Sequence, residues 1–139
     1  MRIVIAGAGE VGTHLAKLLS REEQDIMVID ADQAKLASLD ANYNLMTLRG
    51  NPISFNALHT AGVGKCDLFI AVTPDETQNV LACSMAKSIG AQRTVARIDN
   101  YEFMSQENRD YFTRLGVNAL IYPELLAAQE IITALRRSW

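Results

Sequence analysis

The stretch RIVIAGAGEVG, Arg2 to Gly12, sets three glycines in G-x-G-x-x-G spacing directly behind a short apolar run. Such a turn leads a β-strand into an α-helix and lets backbone N–H groups and the helix N-terminus face an anion. It also imposes a condition on the chain that follows: a second strand must end in an acidic residue about 20 positions on. Asp30 closes the run IMVID, 18 positions after Gly12.

Beyond that turn, short apolar runs alternate with helical patterns, which is how strand and crossover helix succeed one another in a parallel sheet. The runs predict six strands at Arg2–Ala6, Asp25–Ile29, Asn44–Leu48, Asp67–Val72, Thr94–Ile98 and Ala119–Tyr122. Helices are expected over about Val11–Leu19, Gln33–Leu39, Phe55–Ala61, Glu76–Ile89 and Phe103–Leu115, with a sixth opened by Pro123 and running through Leu135. The fold class is α/β: a Rossmann-like doubly wound six-stranded parallel sheet of order 3-2-1-4-5-6. At 139 residues and 49% hydrophobic content the chain builds one core and has no room for a second domain. Helical signal continues to Trp139 without a stop, so the chain reads as a piece of a longer protein.

Composition removes several functions. A net charge of −3 gives no general attraction to nucleic acid or to an anionic membrane, and no apolar run approaches the roughly 20 residues of a bilayer span. Cys66 and Cys83 form no C-x-x-C pair and sit beside or within apolar runs, as buried reduced thiols do. No His, Cys or carboxylate cluster has metal-ligand spacing, so no metal site is expected.

In a sheet of this order the ligand crevice opens beyond the C-terminal ends of the first and fourth strands. Gly7, Gly9 and Gly12 line one side of it, and the Asp30 carboxylate is placed to accept hydrogen bonds from ribose hydroxyls; the alternative is a solvated carboxylate at a strand end. Asp32 reads as the N-cap of the next helix. Thr73 and Pro74 end the fourth strand at the crevice, Thr73 offering a hydroxyl, unless Thr73 or Asp75 merely caps the following helix. Arg97 lies inside the apolar run TVARI and needs an anionic partner, either a phosphate or a nearby carboxylate such as Asp99 or Glu102.

Taken together, GAGEVG, VID with Asp30, the long stretch GNPISFNALHTAGVGKCDLFIAVTPDETQN from Gly50 to Asn79, VARIDN and YPE resemble a known family over essentially the whole chain. That family is the N-terminal nucleotide-binding domain of regulators of potassium conductance (RCK domains), in the TrkA-type form of bacterial Trk potassium uptake systems. The resemblance implies a domain that binds NAD(H) or adenine nucleotides such as ATP and ADP. It implies a homodimer or higher RCK assembly that controls ion flux through a separate membrane potassium transport subunit, itself cytoplasmic and peripheral to the membrane. It implies nucleotide contacts from Gly7, Ala8, Gly9, Glu10, Val11, Asp30, Thr73, Pro74 and Arg97, with Glu124 near the phosphates or an accompanying cation at the dimer interface. Asn51 departs from the aspartate that many relatives carry there.

The rival is a cofactor-binding domain cut from an NAD-dependent oxidoreductase, which would need a positioned acid or base at the crevice. No tyrosine has a lysine four residues on, and His14 and His59 fall on predicted helix surfaces. The chain therefore reads as a regulatory binding module without catalytic residues. In the last helix Leu125, Ala128, Ile132, Leu135 and Trp139 form a stripe that either closes the domain's own sheet or reaches a second subunit.

Overall fold

The structure, a computed structural model, describes residues 1–22 and 24–123. Six parallel strands form one sheet in the order β3-β2-β1-β4-β5-β6, with β1 Arg2–Ala6, β2 Asp25–Asp30, β3 Met46–Arg49, β4 Leu68–Ala71, β5 Arg93–Arg97 and β6 Ala119–Ile121. The strands are short, and the central ones are buried on both faces, as a parallel sheet covered by crossover helices requires. Alternation along β1 sends Ile3 and Ile5 to one face and Val4 and Ala6 to the other.

The first face is covered by α1 Glu10–Ser20 and α2 Gln33–Asn42, through Leu15, Leu19, Leu36 and Leu39. The second is covered by α3 Phe55–Thr60, α4 Glu76–Ile89 and α5 Gln106–Arg114, through Leu58, Ala82, Ala86 and Phe112. Small residues on α4 let that helix lie close over β4 and β5, where Phe69 is fully buried. This is the doubly wound architecture expected, with the strand order expected.

Several bounds shift by one to three residues, as at β4, β5 and the end of α2, and two elements differ for an identifiable reason. β3 begins at Met46 rather than Asn44, because its pairing with β2 runs from Met27↔Met46 to Asp30↔Arg49 and the chain is still turning at Leu45, whose N–H donates to the Tyr43 carbonyl. The helix expected over Phe103–Leu115 is broken into a 3-10 turn at Tyr101–Met104 and α5, because Ser105 sits between them and its hydroxyl accepts from the Asn108 N–H as the cap of α5. Ser favours that capping role over a place in a helix interior. The sixth helix, its apolar stripe and Glu124 fall on residues 124–139, outside the described residues.

Both cysteines are buried and unpaired, as read from the sequence. Burial, with Asp67 adding to it, pushes the Cys66 thiol up to about 11, and burial raises Cys83 further still. His14 and His59 are exposed on α1 and α3. Among the described residues no helix is long and apolar enough to cross a membrane.

Candidate functional site

The glycine turn occupies residues 7–9, between β1 and α1, and each glycine of the motif meets a different constraint. Gly7 has φ +116°, and a Cβ there would lie 3.0 Å from the Thr73 nitrogen and 3.1 Å from the Val72 carbonyl carbon. A Cβ on Gly12 would overlap the Gly7 carbonyl oxygen, so α1 can approach β1 this closely only with glycine at that point. Gly9 is the reverse case: a Cβ there would meet nothing within 4 Å. Its missing side chain leaves open space at the helix entrance, where a ligand can reach the backbone.

The same position decides the electrostatics. Four α-helices start with a side chain that satisfies a backbone donor of their own first turn: Asp32 accepts from Ala34, Ser54 from Ala57, Asp75 from Gln78 and Ser105 from Asn108. Helix α1 starts at Gly9 with no side-chain cap. Its first N–H groups and the positive end of its dipole therefore face the open space over Gly9, an arrangement suited to phosphate oxygens. Ala8 is buried, Glu10 is exposed in the first turn, and half-buried Val11 packs toward the α1–α2 core.

Asp30 ends β2 beside this turn, half-buried. It is not simply a solvated carboxylate: Oδ2 accepts from the Ala8 N–H at 2.7 Å and Oδ1 from the Asp32 N–H at 2.8 Å. Each carboxylate oxygen keeps acceptor capacity beyond these bonds.

Across the crevice, β4 ends at Ala71, short of Val72, and the Val72 N–H makes the last bond to β1 at the Ala6 carbonyl. Pro74 lies three residues past the strand and is exposed, so the proline does not itself end the ladder. Thr73, 8% exposed, turns its hydroxyl inward onto Asn79 Oδ1 at 2.6 Å instead of presenting it to the crevice. What Thr73 places at the crevice is backbone packed against Gly7. The cap of α4 is Asp75, one of the two alternatives read from the sequence.

Asn79 organises this side of the site, a role the sequence alone does not show. Fully buried on α4, its Oδ1 accepts from the Thr73 N–H at 3.0 Å as well as the hydroxyl, and its Nδ2 donates to the carbonyls of Thr73 at 2.9 Å and Arg97 at 3.0 Å. A polar residue in the buried stripe between Glu76 and Ala82 was the available signal. Glu76 accepts from the N–H groups of Asp99 and Asn100 at 2.8 and 3.0 Å and ties the start of α4 to the chain leaving β5.

Arg97 ends β5 on the same face as Val95. Its Nε is buried and finds no hydrogen-bond partner among the described residues; the Asp99 carboxylate faces it at 3.7 Å, with the two side chains 24% and 49% exposed. A pair that long and that open to water is weak, so among the described residues the guanidinium's bonding capacity is largely unspent. Asn51 accepts from the Ile53 N–H in a local turn and from Gln78 Nε2 at 3.4 Å.

A parallel sheet of this order with a glycine turn and an acidic strand end beside it defines a Rossmann-type domain. Residues 3–123 match the TrkA-N domain family, and the chain belongs to it. It is 37% identical over 130 residues to a Trk system potassium uptake protein TrkA homolog of Archaeoglobus fulgidus and 35% identical over 133 residues to TrkA of Haemophilus influenzae. In both cases the match covers 94% of this chain and 29% of the relative's length. Among solved structures, the GsuK channel bound to NAD superposes with a TM-score of 0.72 at 15% identity, over 86% of this chain and 21% of that one. The same channel bound to ADP gives 0.71 at 15% identity, over 86% and 30%.

Proposed function

We propose that this chain is the nucleotide-binding regulatory domain of a Trk-type potassium uptake system, taking NAD(H) or an adenine nucleotide such as ATP or ADP at the glycine turn. The observation that carries the reading is the uncapped start of α1 at Gly9, open where the other four α-helices among the described residues are closed by their own side chains. The Gly7 to Gly12 turn holds the phosphates by the free backbone N–H groups at the start of α1, and Asp30 accepts from the ribose hydroxyls. Thr73 and Pro74 form the facing wall, and Arg97 supplies a positive charge at the phosphate end. Glu124 shares that end, through a cation or by repulsion. Support comes from family membership and from a fold neighbour bound to NAD and to ADP.

The domain is regulatory rather than catalytic. Both histidines are exposed on helix surfaces. Bound nucleotide acts by differential affinity for two arrangements of a homodimer or larger RCK assembly, typically about 1–3 kcal/mol, and this difference gates a membrane potassium transport subunit from the cytoplasmic side. Calorimetry of the purified chain tests the binding step: NAD, NADH or ADP should bind and NADP should bind far more weakly, since the Asp30 carboxylate repels a 2′-phosphate. Binding of none of these overturns the reading, and steady NADH turnover with a substrate would replace it with the oxidoreductase.

A further inference from the structure

We infer that Asp30 is a positioning residue for the phosphate turn as well as a ribose ligand, so that the two ends of a nucleotide are read through one carboxylate. The inference rests on the nucleotide-binding reading above and deepens it.

The Ala8 N–H that Asp30 Oδ2 accepts at 2.7 Å lies in the middle of the glycine turn, between Gly7, at positive φ, and the uncapped Gly9. Apart from this bond, the turn is tied by the Gly7 N–H to the Ile29 carbonyl at 2.9 Å, by the Thr13 N–H to the Gly9 carbonyl at 2.9 Å and by the Thr13 hydroxyl to the Ala8 carbonyl at 3.1 Å. Both the Ile29 and the Asp30 bonds reach the turn from β2, and of all of them the Asp30 bond is the charge-assisted one. The other carboxylate oxygen is fixed by the Asp32 N–H, which orients the group toward the turn. The backbone of β2 adds to this fixation, since the Asp30 carbonyl accepts from Gly50. A ribose that bonds the remaining lone pairs of Asp30 is therefore held by the same carboxylate that anchors the middle of the phosphate-facing turn.

Two effects of removing the carboxylate have opposite signs for a ligand that keeps its phosphates but lacks both ribose hydroxyls. Loss of a negative charge beside the phosphates tightens such a ligand. Loss of the anchor to Ala8 weakens it.

The test uses 2′,3′-dideoxy-ADP and ADP with the whole chain, by calorimetry. Asp30→Ala is expected to weaken dideoxy-ADP by about tenfold, the size of one charge-assisted hydrogen bond. Asp30→Asn keeps one acceptor and should retain part of that affinity. Asp32→Ala, which removes a charge of the same sign nearby but only the cap of α2, should leave dideoxy-ADP as tight as before or slightly tighter. In the ligand-free chain, exchange of the Ala8 amide should speed at least tenfold in Asp30→Ala while the amides of Val4 and Ile70 stay protected, which separates a loosened turn from a loosened fold. Unchanged or tighter dideoxy-ADP binding by Asp30→Ala overturns the inference while leaving the nucleotide site standing. So does a wild-type chain that binds ADP but not its dideoxy form, since the turn then has no grip of its own. Failure of the wild-type chain to bind ADP at all defeats the nucleotide-binding reading itself.

Discussion

The turns that follow β1 and β4 lie side by side at one edge of the sheet, each leading a central strand into a helix, and they are built on opposite plans. The first is made of glycines and leaves the α1 entrance without a side-chain cap. The second is closed on itself: Asp75 caps α4, and Asn79 takes up the N–H, hydroxyl and carbonyl of Thr73. A backbone that keeps its donors unspent can bind an anion; one that spends them internally can only be a wall. The two plans face each other across the crevice, Gly7 packing against the Thr73 backbone.

The contrast can be broken most severely at Gly12. Gly12→Ala forces a Cβ into the Gly7 carbonyl, and urea unfolding should show a loss of about 3 kcal/mol. On the closed side, Asn79→Ala strands a buried N–H and two carbonyls and should cost about 2 kcal/mol in the same assay, with nucleotide affinity falling as the wall slackens. Gly9→Ser sharpens the contrast by moving the open turn toward the closed plan. Its backbone, at φ −79° and ψ −157°, accepts any residue, and serine supplies the missing cap. Stability should rise by a few tenths of a kcal/mol while NAD affinity, read by calorimetry, drops by about tenfold. A serine variant that binds as well as wild type would remove the α1 entrance from the site.

A pH test at the other end of the sheet serves as a control on both turns. Cys66, held up near 11 by burial, keeps its proton in the folded chain after the unfolded chain has lost it at its ordinary value of 9.0. Unfolding therefore releases a proton in that window, and the Cys66 contribution to stability, fully present below pH 9, falls as pH rises toward 11. Urea midpoints between pH 8 and 10.5 should decline less in Cys66→Ala than in wild type, with no change in nucleotide affinity at neutral pH.

Features that act through chain spacing were legible in the sequence. The glycine motif, the acidic end of β2 and the alternation of apolar runs fixed the strand order and placed Asp30, Thr73 and Arg97 at one edge. Features that act through a side chain's choice of partner were not. Thr73 has one hydroxyl, and whether it faces a ligand or Asn79 depends on a helix position six residues away. Asn79 looks like a flaw in an apolar stripe until the backbone around it is seen. Ser105 reads as helix interior by periodicity and as a cap only when the chain direction on either side is known. The Asp30 bond to Ala8 joins residues 22 apart, and no local pattern distinguishes it from a carboxylate facing water.

Asn79 carries one more consequence. Its amide offers the acceptor and donor that a peptide unit would, and it supplies them to Thr73 and Arg97 where the parallel strands have stopped pairing. The sheet is thus extended by one borrowed rung, lent by a helix. The separation of β4 and β5 at the crevice is thus tied to α4, the helix that carries Asn79, and not to the strands alone.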